Sequence, residues 1–498
     1  MSEDFRPGAR LWLTRALVLR GLGAVYAVAF LVAALQNRVL IGAGGLTPAR
    51  AFLERMGEAY GGRLAGFVAR PSLFWLDASD ATLLGAAWVG VALGLAAAAG
   101  RVRGPVFLGM WALYLSIVHV GQVWYGYGWE TLLCEAGFLA IFLAPWRSGR
   151  LFDPRSPPAE LVIWLYRWLA FRLMFGAGLI KLRGDACWTD LTCLQFHYET
   201  QPMPHPLSAL WHRLPDGAHA AGVLVNHAVE LVVPFFIFAP RPLRTAAGVA
   251  LVGFQLSLIA SGNLSFLNWL TLVIGLSCFE DEPMKRLLSH IDVSKMRQPP
   301  PHPARRWVLG ALAVVVGLLS LAPVANMLSP GQVMNSSFDR LRLVNTYGAF
   351  GSVGRERLTV VVQGGPSAEG PWTDIPWRCQ PVDVDARPCW LTPYHLRLDW
   401  QAWFAPFSDI YEHPWMVHLV ARLLAGDPDV QGLMGESPFP DAPPPFVRLE
   451  LYRYAFAPPG AAAWWTRDDL GTYLRPLSLD DPALRTFMEG YGWPMPSP

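Results

Sequence analysis

RWLAFRLMFGAGLIKLRGDACWTDLTCLQFHYETQPMPHPLSALWH, residues 167–212, decides how this chain is read. Its opening continues an apolar run, Leu161 to Ile180, of the length that crosses roughly 30 Å of hydrocarbon as a helix. At Lys181 the character changes: a lysine, a tryptophan, two cysteines six residues apart, several histidines and a glutamate follow. Polar chemistry begins where a span leaves the bilayer.

Working outward, runs of similar length recur at 16–35, 82–99, 105–121, 129–145, 161–180, 219–239, 245–260, 263–279 and 307–328. With 53% hydrophobic and only 16% charged residues, the chain belongs to the membrane class. The net charge of +2 says little by itself, and nucleic acid is not expected as a partner. Arginines precede the first run, which is long enough to span, so it reads as a signal anchor rather than a cleaved leader. The expected fold is an all-α polytopic membrane domain of about nine transmembrane helices, residues 1–328, followed by a β-rich extracytoplasmic C-terminal domain, residues 329–498.

Orientation follows from the positive-inside rule. With a cytoplasmic N-terminus, the inside segments carry Arg6, Arg10 and Arg15; Arg101 and Arg103; Arg147, Arg150 and Arg155; Arg241 and Arg244; and Lys285 to Arg306, which includes a stiff proline linker at 299–303. The outside turns 121–128 and 261–262 carry none. Residues 329–498 then lie outside, as do Cys187, Cys193, Cys379 and Cys389, where disulfides persist. Both pairs are disulfide candidates. Neither has the C-x₂₋₄-C spacing of a zinc site, so no metal is expected.

Beyond residue 328, alternation marks strands at 357–363, 395–404 and 446–456, and 413–425 has helical spacing with Trp415, Leu419 and Leu423 on one side. In the long outside loop, 48–60 reads as an amphipathic helix on the membrane surface. Nine of the 22 tryptophans lie in this outer part. Most are expected in its core, with Trp464 and Trp465 left exposed as an anchor for a partner surface.

Ionisable groups at membrane depth cost several kcal/mol, so each calls for a partner or a water-filled cavity. Glu130, Glu135, Arg167 and Arg172 fit helix-to-helix ion pairs. Lys181 is either a snorkelling lysine or a base in a poorly solvated cavity, and His227 and Glu230 share one face of the sixth run. Asn226, Asn263 and Asn268 could line the same polar seam. Five of the eleven histidines fall between His197 and His227, but in no metal-ligand pattern. There is no P-loop, nucleophile elbow or dinucleotide fingerprint.

On these residues the chain resembles the lipase maturation factor family. The similarity runs through NRVLIGAGGLTPA at 37–49, WETLLCEAGFLAIFLAPW at 129–146, the 167–212 stretch, NHAVELVVPFF at 226–236 and GNLSFLNWLT at 262–271. It continues in LVNTYGAFGSVGRERLTVVVQG at 343–364, PWRCQPVDVDARPCWLTPYHLRLDWQAWFAP at 376–406, and YRYAF and WW at 452–465. The resemblance implies a membrane-embedded factor that brings immature secreted lipases to their active, assembled form. It implies the endoplasmic reticulum membrane in a eukaryote and the cytoplasmic membrane, with the C-terminal domain outside, in a bacterium. The implied partners are the client and membrane lipids. No cofactor is called for, and a folding factor is preferred over an enzyme.

A more distant resemblance links Ala177 to Trp188, Glu230 and Asn263 to Trp269 with the membrane domain of vitamin K-dependent γ-glutamyl carboxylase. It implies the alternative, an enzyme with a quinone or lipid cavity in which Lys181 is the base, with His197, Glu199, His227 and Glu230 around it.

Overall fold

The computed structural model of the chain describes residues 11–146, 148–285, 288, 291, 293 and 303–496. All but the last residue of the proline linker at 299–303 lies outside the described residues. Each of the nine apolar runs falls on a helix: α1 Trp12–Ile41, α2 Asp80–Ala98, α3 Gly104–Val120, α4 Gly128–Leu143, α5 Glu160–Gly184, α6 Asp216–Phe238, α7 Arg241–Ile259, α8 Leu267–Cys278 and α9 Pro303–Leu328. Among the described residues six of these, α1, α2, α5, α6, α7 and α9, are long and apolar enough to cross a membrane, while α3, α4 and α8 are shorter. The helix expected at 48–60 spans Ala49–Ala59.

Interhelical approach is set by small residues, as in other membrane bundles. A Cβ on Gly94 of α2 would lie 2.6 Å from the Ala27 nitrogen of α1, so only glycine fits there.

Hydrogen bonds sort the helix ends into two faces. On one face Leu13 N donates to Asp281 (2.8 Å), Gly104 N to the Pro145 carbonyl (3.0 Å) and Arg305 to the Pro157 carbonyl (2.7 Å). On the other, Gln36 donates to the His395 carbonyl (2.7 Å), Arg213 to the Ala457 carbonyl (3.0 Å) and Asn263 to the Cys389 carbonyl (2.9 Å). This is the alternation that nine crossings require. The C-terminal domain sits on the second face.

That domain is built on a four-stranded antiparallel sheet, order β2-β1-β3-β4, from β1 Arg357–Gly365, β2 Thr373–Ile375, β3 Phe446–Phe456 and β4 Trp465–Leu477. Helices α10 Arg397–Phe404 and α11 Pro414–Leu424 pack against β1 and β3, and α12 Pro482–Gly490 lies near the C-terminus.

Two expectations are corrected here. Residues 397–404, read as part of a strand, form α10. Alternation was the strand signal, but the polar positions Arg397, Asp399 and Gln401 are buried as well, so it does not mark a solvated face. Trp465, expected to be exposed, is 3% exposed and stacked on Phe456 at 4.5 Å. Successive side chains at a strand start point to opposite faces, so a neighbouring pair does not share one exposure. Trp464 is half-buried, and Arg387 lies 6.0 Å over its ring.

Candidate functional site

Lys181 is the fourth residue from the end of α5 and 4% exposed. Its Nζ donates to both Glu230 oxygens, at 2.5 and 2.6 Å, and to Asn226 Oδ1 at 3.3 Å, while Asn226 Nδ2 donates to Glu230 at 3.1 Å. The ammonium also lies 5.1 Å over the Trp188 ring. A buried charge pair is retained only when its remaining hydrogen bonds are met, and here Asn226 meets them.

Two local features make this approach feasible. Residues Ala228–Val232 form a π-helical turn inside α6, and Pro234 has no N–H for the Glu230 carbonyl, so regular α-helical bonding cannot continue. A Cβ on Gly178 would lie 2.7 Å from Leu231 Cδ2 and 3.0 Å from Glu230 Cβ. Glycine lets α6 close on α5 at the level of the ion pair.

The loop after α5 covers the pair. Cys187 and Cys193 are joined as a disulfide, with Cα atoms 4.7 Å apart, and close the loop that carries Trp188. Trp188 Nε1 donates to the Phe350 carbonyl (2.8 Å), and its own carbonyl meets His227 Nε2 at 2.9 Å. His197 packs edge-on to Phe350 at 4.7 Å. Burial first, and the Lys181 cation second, hold His197 down at about 4, so it is neutral at pH 7.

Not every expected member is here. Glu199 accepts from Phe456 N (2.7 Å) and lies 3.6 Å from His212, Asn263 binds the 389–392 backbone, and Asn268 donates to Gln255 (2.8 Å). His205 and His219 each meet a backbone carbonyl, of Ile259 and Trp211. Among the described residues no cluster of three or more His, Cys, Asp or Glu side chains is placed to hold a metal ion.

Two further buried clusters join the membrane body to the outer domain. Arg397 of α10 pairs with Glu130 of α4 at 2.8 Å, donates to the Trp124 carbonyl and lies 3.5 Å over the Tyr125 ring, and Tyr114 donates to the same Glu130. Both charged side chains are 0% exposed. Glu135 is paired with Arg172 and also accepts from Asn345 N (3.0 Å), Asn345 Nδ2 (3.1 Å) and Tyr347 Oη (2.7 Å). Arg167 is bound to the Ser277 carbonyl (2.8 Å) and stacked on Trp164. The sequence identified Glu130, Glu135 and Arg172 as needing partners. It missed Arg397, Asn345 and Tyr347. The available signal was an arginine inside a segment otherwise rich in buried aromatics.

The second disulfide, Cys379–Cys389, has its Cα atoms 5.7 Å apart and holds a loop against the α7–α8 turn, where Asn263 Oδ1 accepts from Leu391 N (2.8 Å) and Thr392 N (3.1 Å). Cys134 and Cys278 are free and buried.

Fold and sites together define an integral membrane protein of many spans, carrying a sheet domain clamped to one face by buried ion pairs. The lipase maturation factor transmembrane domain matches residues 13–286, and the lipase maturation factor C-terminal domain matches residues 343–475. Lipase maturation factor 1 of Bos taurus is 45% identical over 98% of this chain and 92% of its own length, and that of Homo sapiens 43% identical over 98% and 91%. Lipase maturation factor 2 of Mus musculus is 32% identical over 97% of this chain and 85% of its own length. No solved structure matches. The chain belongs to the lipase maturation factor family.

Proposed function

We propose that the chain is a membrane-embedded maturation factor that assists secreted lipases, or similar secreted clients, to reach their active assembled form. The observation that carries this reading is the similarity to lipase maturation factor 1 along 98% of the chain, through both the membrane and the C-terminal parts. The desolvated clamps at Glu130 and Glu135 support it physically. They hold the outer domain in one orientation, and a fixed surface binds a client with less loss of freedom than a tethered one. The outer domain, 329–498, faces the lumen of the endoplasmic reticulum in a eukaryotic cell or the outside of the cytoplasmic membrane in a bacterium. The half-buried Trp464 is its candidate client contact, and the disulfides Cys187–Cys193 and Cys379–Cys389 hold loops on that side. Co-expression with a secreted lipase tests the reading. The expected result is a higher specific activity of secreted lipase with the chain than without it, and an unchanged specific activity across candidate lipases would refute it.

One observation favours a second reading, an enzyme resembling the carboxylase with a quinone or lipid cavity. The buried Lys181, its partner Glu230 in a π turn and the nearby His227 form a polar cluster of the kind that active sites use. In this reading Lys181 is the base. The geometry also fits an ion pair that only fastens α5 to α6, since Lys181 already donates to Glu230 and Asn226. A stable variant lacking both charges separates the two.

A further inference from the structure

A cleft of about 700 Å³ lies where α4, α5 and α8 meet α10, within the size range of small-molecule sites. Its lining includes Leu173 and Ala177 of α5 and Leu267 of α8, together with Trp400, Trp403 and Phe404 of α10. Ala177 and Leu173 lie seven and eleven residues before the end of α5, roughly 10 and 16 Å along the helix axis. A 25-residue helix is about 37 Å long against about 30 Å of hydrocarbon, so these two side chains lie at acyl-chain depth. The cleft is therefore lined both by side chains at acyl-chain depth and by the outer domain.

Its charge is one-sided. Among the described residues lining it, Glu412 is the one carboxylate, and no lysine or arginine is present. Burial holds the lining His413 below its ordinary value, so it adds no cation at neutral pH. A cleft lined by a carboxylate and by tryptophan and phenylalanine rings suits a quaternary ammonium group. A fatty acid or a lipid of net negative charge would bring an unbalanced charge to a cleft without a cation, whereas the phosphate of a choline phospholipid is balanced by its own ammonium. A client peptide would bring backbone N–H and C=O groups to acyl-chain depth, where they need partners. The lining Gln401 is already engaged, its Nε2 donating to the Val123 carbonyl and to Tyr127, each at 2.6 Å.

We infer that this cleft holds one acyl chain of a choline phospholipid from the leaflet on the outer-domain side, its headgroup at Glu412 and the α10 aromatics. The site is independent of the client reading. It is tested on the full-length protein, purified in mild detergent, by native mass spectrometry and by labelling with phosphatidylcholine that carries a photoreactive group in mid-chain. The expected result is a retained choline lipid and label at 173–177 and 400–404. Ala177→Phe, which fills the cleft, lowers retention about tenfold or more with unfolding temperature unchanged. Glu412→Gln removes the preference for choline over anionic headgroups. Retention of no lipid, preference for a fatty acid or an anionic lipid, a co-purifying peptide in its place, or label confined to outward residues such as Val249 each overturns the inference. If Ala177→Phe fails to fold, the wild-type labelling pattern decides alone.

Discussion

Replacing Glu130 by Gln removes one charge from the clamp between α4 and α10 and leaves its shape almost unaltered. The carboxylate lies 2.8 Å from Arg397, with both side chains 0% exposed. At an effective dielectric constant of about 20, two unit charges at that distance attract by about 6 kcal/mol, and desolvation offsets much of this. Removing one partner is costlier than the net worth of the pair, because Arg397 stays buried without a counter-charge. Breaking such a pair costs about 3–5 kcal/mol. Glu130→Gln is therefore expected to destabilise the protein by that amount and to loosen the outer domain first. Arg397→Met should cost at least as much, since it also ends the bond to the Trp124 carbonyl and the contact with the Tyr125 ring. In the double variant no charge is stranded, so its cost should fall below the sum of the singles by about 2 kcal/mol or more. Denaturant unfolding in detergent, with limited proteolysis of residues 329–498, measures both quantities. Singles within about 1 kcal/mol of wild type, or strictly additive costs, would refute the clamp.

Lys181→Met should cost about 3–5 kcal/mol by stranding Glu230, and adding Glu230→Met should restore much of it. If the restored protein still matures its client, the pair is structural, and if it is stable but inactive, Lys181 acts in chemistry. Asp399 gives a pH signature. Burial first, offset by amide bonds from Cys379 and Gln380, raises its carboxyl from 3.8 to about 6. The folded state thus binds more protons than the unfolded state between about pH 4 and 6, so stability falls as pH rises through that window, by about 3 kcal/mol. Asp399→Asn should remove this fall, and thermal melts at pH 4, 5, 6 and 7 that keep the same slope would reject the assignment. Trp465→Ala should cost about 3–5 kcal/mol as a core deletion, whereas Trp464→Ala should leave the melting temperature nearly unchanged, so only the latter can report on client capture.

Hydropathy made the membrane body legible because each span must bury its own backbone polar groups in a single helix, which fixes length and composition. Strands β1 and β3 were legible for a related reason, as β-branched and aromatic runs between turns. Strand β4 was not. WTRDDLGTYLRPL lies at a sheet edge with most of its side chains exposed, so it carries charge and a glycine in place of an apolar stripe. The ion pairs were half legible. Membrane depth showed that Glu130 and Glu135 needed partners, but no local periodicity names a partner 267 residues away. The π turn at Glu230 was hidden, because it depends on Pro234 together with the close packing at Gly178.

The change in composition at 328/329 divides the sequence, yet hydrogen bonds cross it throughout. After α9 the chain turns back along α5: Gln332 Nε2 donates to the Gly176 carbonyl (3.0 Å), Asn345 and Tyr347 close over Glu135, and a Cβ on Gly176 would lie 2.7 Å from the Tyr347 carbonyl. A chain ended at Leu328 would keep the Glu135–Arg172 pair but lose the three donors from Asn345 and Tyr347 and leave Glu130 with Tyr114 alone. The stranded Glu130 carboxylate costs several kcal/mol, and the hydrogen bonds lost at Glu135 add to this, against a total stability of about 5–15 kcal/mol for a typical protein. Loss of client maturation on deleting 329–498 would then report on folding of the membrane body as much as on client binding. Point changes on the outer surface, at Trp464 first, separate the two because they leave every buried charge with its partner.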